Sequence, residues 1–178
     1  KGLLEQAGRV CEEALSIFSW PGRHLFWLFY IDLHFKRFGG DRKEQARDLL
    51  SRAVADCPKD KLLIYGLMTA EFEEEHGFYS FGAKALEETA KKANIEDAPF
   101  LSRVQAAFAY KHFGISEIRH VYKKALETLN GEALVPLGLE LINVEKRYGE
   151  VDRARTLFKY MSQFVEPEYD TSGMWRSW

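Results

Sequence analysis

The chain is 178 residues long (20.6 kDa), 46% hydrophobic and 14% aromatic, with a formal net charge of −2 and a pI near 6.3. That length builds one ordinary domain or a short repeat array, and the aromatic content excludes a disordered chain. The balanced charge gives no basic footprint for autonomous nucleic-acid binding. Two cysteines, Cys11 and Cys57, make no disulfide scaffold and read as reduced thiols of an intracellular protein, and no run of about 18 apolar residues would span a membrane.

Helical periodicity runs from end to end, with no period-two alternation bounded by turn signals. In chain order the spacing predicts a helix over 3–19, closed by Pro21, then one over 24–38 that is apolar nearly all round (Leu25, Phe26, Trp27, Leu28, Phe29, Tyr30, Ile31) and so suited to burial on several sides. Asp41-x-x-Glu44 reads as a capping-box variant opening a helix over 43–57, and Pro58 closes it. Helices follow over 61–76, 80–93, 99–113, 116–130, 133–148 and 151–165. Pro136 is compatible with the eighth only in its first turn, with the helix starting near Glu132. Val151, Ala154, Phe158, Met161 and Val165 make one stripe along the last, and Pro167 follows it. Gly39, Gly77, Gly114 and Gly149 each close a helix where a left-handed residue is wanted.

These helices alternate as front and back members of a repeat. A small-basic-x-x-apolar-x-x-small pattern marks the back helices: Ala46-Arg47…Leu50…Ala53, Ile118-Arg119…Tyr122…Ala125 and Ala154-Arg155…Phe158…Met161. Weaker copies start at Ala7 and at Ala83-Lys84…Glu87…Ala90. The starts at 7, 46, 83, 118 and 154 lie 39, 37, 35 and 36 residues apart. Small residues at Ala14, Ala53, Ala90 and Ala125 admit close helix approach. The expected fold is all-α, a right-handed α-solenoid of antiparallel helix pairs. The chain reads as one array, with repeats at about 1–22, 23–58, 59–95, 96–130 and 131–167 and the start of another at 168–178. A start without Met and the aromatic end Trp175-x-x-Trp178 suggest a piece of a longer chain, whose exposed end would self-associate or fold back.

Catalytic chemistry has no sequence signal. His24, His34, His76, His112 and His120 include no i, i+4 pair and no HExxH, the cysteines form no CxxC, and neither a P-loop, a GxGxxG nor a GxSxG elbow occurs. No catalytic, metal or cofactor residue is expected. Glu71-Phe72-Glu73-Glu74-Glu75 reads as a solvated helix face, with a patch for a basic partner as the alternative. Lys91-Lys92, Lys123-Lys124 and Lys146-Arg147 suit helix C-termini. Arg47, Arg119 and Arg155 are placed to bridge helices within the array, or alternatively to anchor partners.

The long, variable period and the aromatic front helices resemble the HAT (half-a-TPR) repeat. Trp27, Tyr30 and Asp32 match its front-helix pattern, as do Tyr65 with Glu71 or Glu74, and Arg119, Tyr122 and Ala125 match the back-helix core. Glu87 departs from that pattern where an aromatic is expected. Gly149-Glu-Val-Asp-Arg-Ala-Arg155, Ser162-Gln163, Pro167 and Trp175-x-x-Trp178, with Gly114-Ile115 and Arg119-x-x-Tyr122-Lys-Lys-Ala-Leu-Glu127, resemble the SYF-type pre-mRNA splicing factors, the XPA-binding protein family. The resemblance implies a nuclear scaffold of the spliceosomal complex around Prp-nineteen. It implies contacts to the crooked-neck-like HAT factor and to the intron-binding complex, and in animals a tie to transcription-coupled repair. RNA contact is expected to be secondary or absent, and no membrane is involved. Two alternatives remain: a HAT scaffold in 3′-end or rRNA processing, or a TPR-like peptide adaptor. Asn94, Asn130 and Asn143, at non-equivalent positions, count against the adaptor.

Overall fold

The computed structural model describes residues 2–38, 41–129, 134–165 and 173, with side chains from residue 5 onward. The described residues are all-α: nine α-helices and a single 3₁₀ turn, with no strand. The chain divides into two compact units, residues 1–94 and 95–178.

The first unit holds α1 (Gly2–Ile17), α2 (Arg23–Phe38), α3 (Lys43–Asp56), α4 (Lys59–Glu75) and α5 (Tyr79–Lys92). Each buries one stripe against its chain neighbours. Leu15, Trp27, Ile31, Leu49, Leu50, Ala53, Tyr65 and Phe72 form a continuous core, in which Phe35 stacks on Phe72 at 5.3 Å. Fully burying a Leu or Ile side chain contributes roughly 1.5–3 kcal/mol, so Ile31 and Leu50 anchor this unit. Although α2 is apolar nearly all round, only Trp27 and Ile31 are buried on it, while Leu25 and Phe29 face outward. It packs against α1 and α3 and, through His24 and Phe35, against α4, and the side that carries Leu25 and Phe29 stays open.

The second unit begins with the 3₁₀ turn Ile95–Asp97 and continues with α6 (Ala98–His112), α7 (Ile115–Thr128), α8 (Leu134–Arg147) and α9 (Val151–Met161). Its core joins Ala106, Ala109, Ile118, Tyr122, Ala125, Leu137, Ile142, Ala154, Phe158 and Met161. Pro136 is the third residue of α8, where the missing N–H breaks no helical bond. Residues 130–133, and with them the expected start near Glu132, lie outside the described residues, as does Gly39. The last stripe departs from the expected one at its start, where Val151 is exposed. Val165 lies beyond a helix that ends at Met161 but is half-buried against the same core.

Gly77 and Gly149 close α4 and α8 in one way. Each has a positive φ (79° and 75°) and donates to Glu74 or Lys146, while the next N–H (Phe78, Glu150) reaches back to Glu73 or Glu145. This is the Schellman arrangement. Gly114 donates back to the Ala109 carbonyl at the end of α6 and is also the N-cap of α7, at φ 88°, ψ −170°, a region open to glycine almost alone. The capping box at Asp41 does not form. The N-cap is Arg42 with no side-chain cap bond, and the Glu44 carboxylate accepts from Arg47 instead.

The structure corrects the register of α5. Its buried residues are Gly82, Leu86 and Thr89, whereas Ala83, Glu87 and Ala90 are half-buried. With Gly82 as the marker, Ala46, Gly82, Ile118 and Ala154 are each 36 residues apart. The front helices keep the same step, since Tyr65, Leu101 and Leu137 are all fully buried. One place on α4 and α8 has no room for a side chain. A Cβ at Gly66 would collide with Thr89 on α5, and one at Gly138 with Met161 on α9.

These two contacts differ in how far they can yield. Thr89 is β-branched and its hydroxyl is bonded to the Ala85 carbonyl at 2.7 Å, whereas Met161 has a flexible chain. Overpacking costs about 1–3 kcal/mol, and alanine for glycine in a helix returns about 1 kcal/mol. Gly66→Ala is therefore expected to lower the thermal midpoint by a few degrees, and Gly138→Ala by less. Circular dichroism melts check this; an unchanged or raised midpoint for Gly66→Ala contradicts the α4–α5 contact.

Candidate functional site

The repeated arginines are the clearest side-chain device in both units. On α3, Arg47 donates through Nε and Nη2 to the two carboxylate oxygens of Glu73 on α4, at 2.6 and 2.7 Å. On α7, Arg119 does the same to Glu145 on α8, at 2.8 and 2.7 Å. Both carboxylates are buried, Glu73 at 3% and Glu145 at 2% exposure. Both are the third-last residue of their helix, and both lie 26 residues after their arginine. The run 71–75, expected as a solvated helix face, thus holds one buried acid, Glu73, while Glu71 and Glu75 are exposed. In the intervening period the equivalent positions are Ala83 and Ala109, so both partners are replaced together and neither charge stands alone. Arg155 carries the same marker on α9 but is exposed, 3.4 Å from the exposed Asp152.

The remaining expected packing residues fall as follows. Trp27 is buried and donates its indole N–H to Asp56 at 2.7 Å, where Arg23 also binds at 2.7 Å. Tyr65 is fully buried, and its hydroxyl meets His24 Nδ1 at 2.8 Å. The Tyr122 hydroxyl donates to Glu140 at 3.1 Å, and Arg103 holds that carboxylate at 2.7 Å. Burial, with Glu140 beside it, pushes the Tyr122 phenol up to about 12, and burial with Glu12 does the same for Tyr30. Ala53, Ala125 and Phe158 are buried, while Trp175 and Trp178 lie outside the described residues. Cys11 is buried, and desolvation raises its thiol above the usual range.

Grooves run between the helices of both units. In the second unit, Leu126, Leu141, Leu157 and Tyr160 line a groove of about 550 Å³ between α7, α8 and α9, rimmed by Lys123, Glu127 and Arg153. The same position in the first unit, between α3, α4 and α5, holds about 270 Å³ and is lined by smaller side chains such as Ser51, Val54, Thr69 and Ala85. A third groove of about 460 Å³ lies between α1 and α2 and is lined by Arg9, Arg37, Arg42, Glu5 and Glu12. Such surfaces suit contact with other macromolecules. Among the described residues, no three His, Cys, Asp or Glu side chains gather as a metal ligand set.

The residues that the sequence reading missed are Glu73 and Glu145, and the signal for them is the 26-residue step from each marker arginine. Stranding a buried carboxylate costs about 1–3 kcal/mol, more for a charge than for a neutral group. Arg47→Ala is therefore expected to lower stability in urea unfolding by about that amount, and adding Glu73→Ala to recover part of the loss. A double variant whose loss equals the sum of the two single losses contradicts the clamp.

The whole chain, residues 1–178, matches the family described as Pre-mRNA-splicing factor Syf1/CRNKL1 C-terminal HAT repeat. It is 31% identical over 175 residues to the Pre-mRNA-splicing factor syf1 homolog of Drosophila melanogaster, covering 98% of this chain and 20% of the relative. It is 32% identical over 178 residues to Pre-mRNA-splicing factor SYF1 of Mycosarcoma maydis (98% and 16%). To the Homo sapiens protein of the same description it is 28% identical over 174 residues (98% and 20%). The chain thus spans about a fifth of the length of the curated relatives it matches. With the match unbroken from first residue to last and the paired helices in a 36-residue step, the chain belongs to the Syf1/CRNKL1 C-terminal HAT-repeat family.

Proposed function

We propose that this segment is a protein–protein interaction scaffold acting in pre-mRNA splicing. The observation that carries the reading is the whole-chain match to a splicing-factor repeat family. Stacked helix pairs present long surfaces, and their exposed side chains bind partners while their buried ones hold the array. Several of the groups that would carry chemistry are engaged in packing. His24 meets Tyr65, His76 meets the Phe72 carbonyl at 2.7 Å, and the Cys11 thiol is buried. The reading is therefore of binding without turnover, in the nucleus. Its partners are proteins of the complex around Prp-nineteen, the crooked-neck-like HAT factor and members of the intron-binding complex, and RNA contact is secondary. The net charge of −2 supports that last clause, because phosphate binding is driven by an excess of cations.

The test is a pull-down from nuclear extract with the chain as bait, with and without nuclease. Recovery of splicing-complex proteins that survives nuclease is expected. Recovery that disappears with nuclease would move the role to RNA binding, and recovery of chaperones in place of splicing proteins would favour a TPR-like adaptor.

A further inference from the structure

In the groove between α1 and α2 the cations outnumber the anions able to close them. Glu5 is engaged by Arg37 at 2.6 Å. Glu12 accepts two bonds at 2.8 Å from Arg52, which is not part of the groove lining, and a further one from Tyr30. Among the described residues, Arg42 donates to the side-chain oxygen of Gln45 at 3.2 Å and, like Arg9, makes no ion pair. Arg37 and Arg42 both lie over the ring of Phe38, at 4.6 and 4.3 Å, which holds their guanidiniums in place before anything binds. Below them, both ring nitrogens of His34 are buried without a hydrogen-bond partner. Burial, with Arg42 and Arg37 adding, holds the pKa of that imidazole below its usual range.

We propose that this groove binds an acidic segment of a partner protein, with carboxylates seated on Arg9 and Arg42 beside the Arg37–Glu5 pair. A planar guanidinium matches a carboxylate through two parallel bonds. An RNA strand fits the groove less well, for two reasons on the same surface. Glu5 and Glu12 would repel a continuous phosphate backbone, whereas the charges of a peptide can be spaced to step past them. The Phe38 ring is met by two guanidiniums and, at 4.8 Å, by His34, so it offers no platform for a stacked base. This inference rests on the groove alone and is independent of the complex that the chain serves.

The test uses fluorescence anisotropy on the full chain, with a labelled dodecapeptide of alternating Glu and Ser as probe and a single-stranded RNA dodecamer as competitor. Saturable binding of the peptide is expected. Arg9→Glu combined with Arg42→Glu should weaken it by about tenfold or more. Both residues are exposed, so the circular dichroism spectrum should not change; should it change, Arg9→Gln with Arg42→Gln carries the comparison. Lys91→Glu with Lys92→Glu, which removes equal charge from α5, should leave the affinity unaltered. Absence of peptide binding, equal affinity for the groove variants, equal weakening by the α5 variants, or displacement of the peptide by RNA at lower concentration than unlabelled peptide would each overturn the proposal.

Discussion

A carboxylate with 2–3% of its surface exposed has lost its hydration, and in this chain a guanidinium from the preceding back helix offsets that loss. Two parallel bonds from one guanidinium tolerate little displacement, so each clamp fixes how α3 meets α4, or how α7 meets α8. The clamped residue is also the one whose backbone carbonyl receives the N–H beyond the closing glycine, Phe78 on Glu73 or Glu150 on Glu145. One residue thus ties the end of its front helix, the turn into the next back helix and the helix before it. Further along, near the middle of α4, the close approach to α5 is met by a residue without a side chain, Gly66 against Thr89.

The same dependence explains what was legible beforehand. Helix number, order and approximate bounds follow from a period that the chain repeats, and the proline and glycine punctuation places the breaks. The register of α5 was not legible, because Gly82 and Ala83 are both small and both precede a plausible second position. Burial of Leu86 settles the choice, and a single helix pattern does not show it. The buried acids were hidden for a related reason. Four glutamates crowd residues 71–75, and only the three-dimensional position of Arg47 singles out Glu73. The capping box at Asp41 is absent because α3 takes Arg42 as its N-cap, and the Glu44 carboxylate that the box needs accepts from Arg47.

The grooves were the least legible part, because they are made by residues that no periodic argument selects. The two equivalent grooves share a backbone plan and differ in filling: Val54, Thr69 and Ala85 in the first unit stand where Leu126, Leu141 and Leu157 stand in the second. A repeat that holds its packing positions fixed is free to change these side chains, which is how one architecture comes to offer different surfaces to different partners. The charged groove beside α2 adds a surface of a third character to the first unit. Binding specificity in such a protein resides in the outward residues, while the clamps and close contacts keep those residues in register.

The clamp is open to direct observation through the arginine side-chain Nε–H resonances in nitrogen-edited NMR. Arg47 and Arg119 each donate that hydrogen to a buried carboxylate, so both signals should persist with slow solvent exchange at neutral pH. Glu73→Gln should release the first alone, and Glu145→Gln the second alone. Fast exchange of both signals in the unaltered chain, or loss of either that does not depend on its own glutamate, would contradict the pairing on which the account rests.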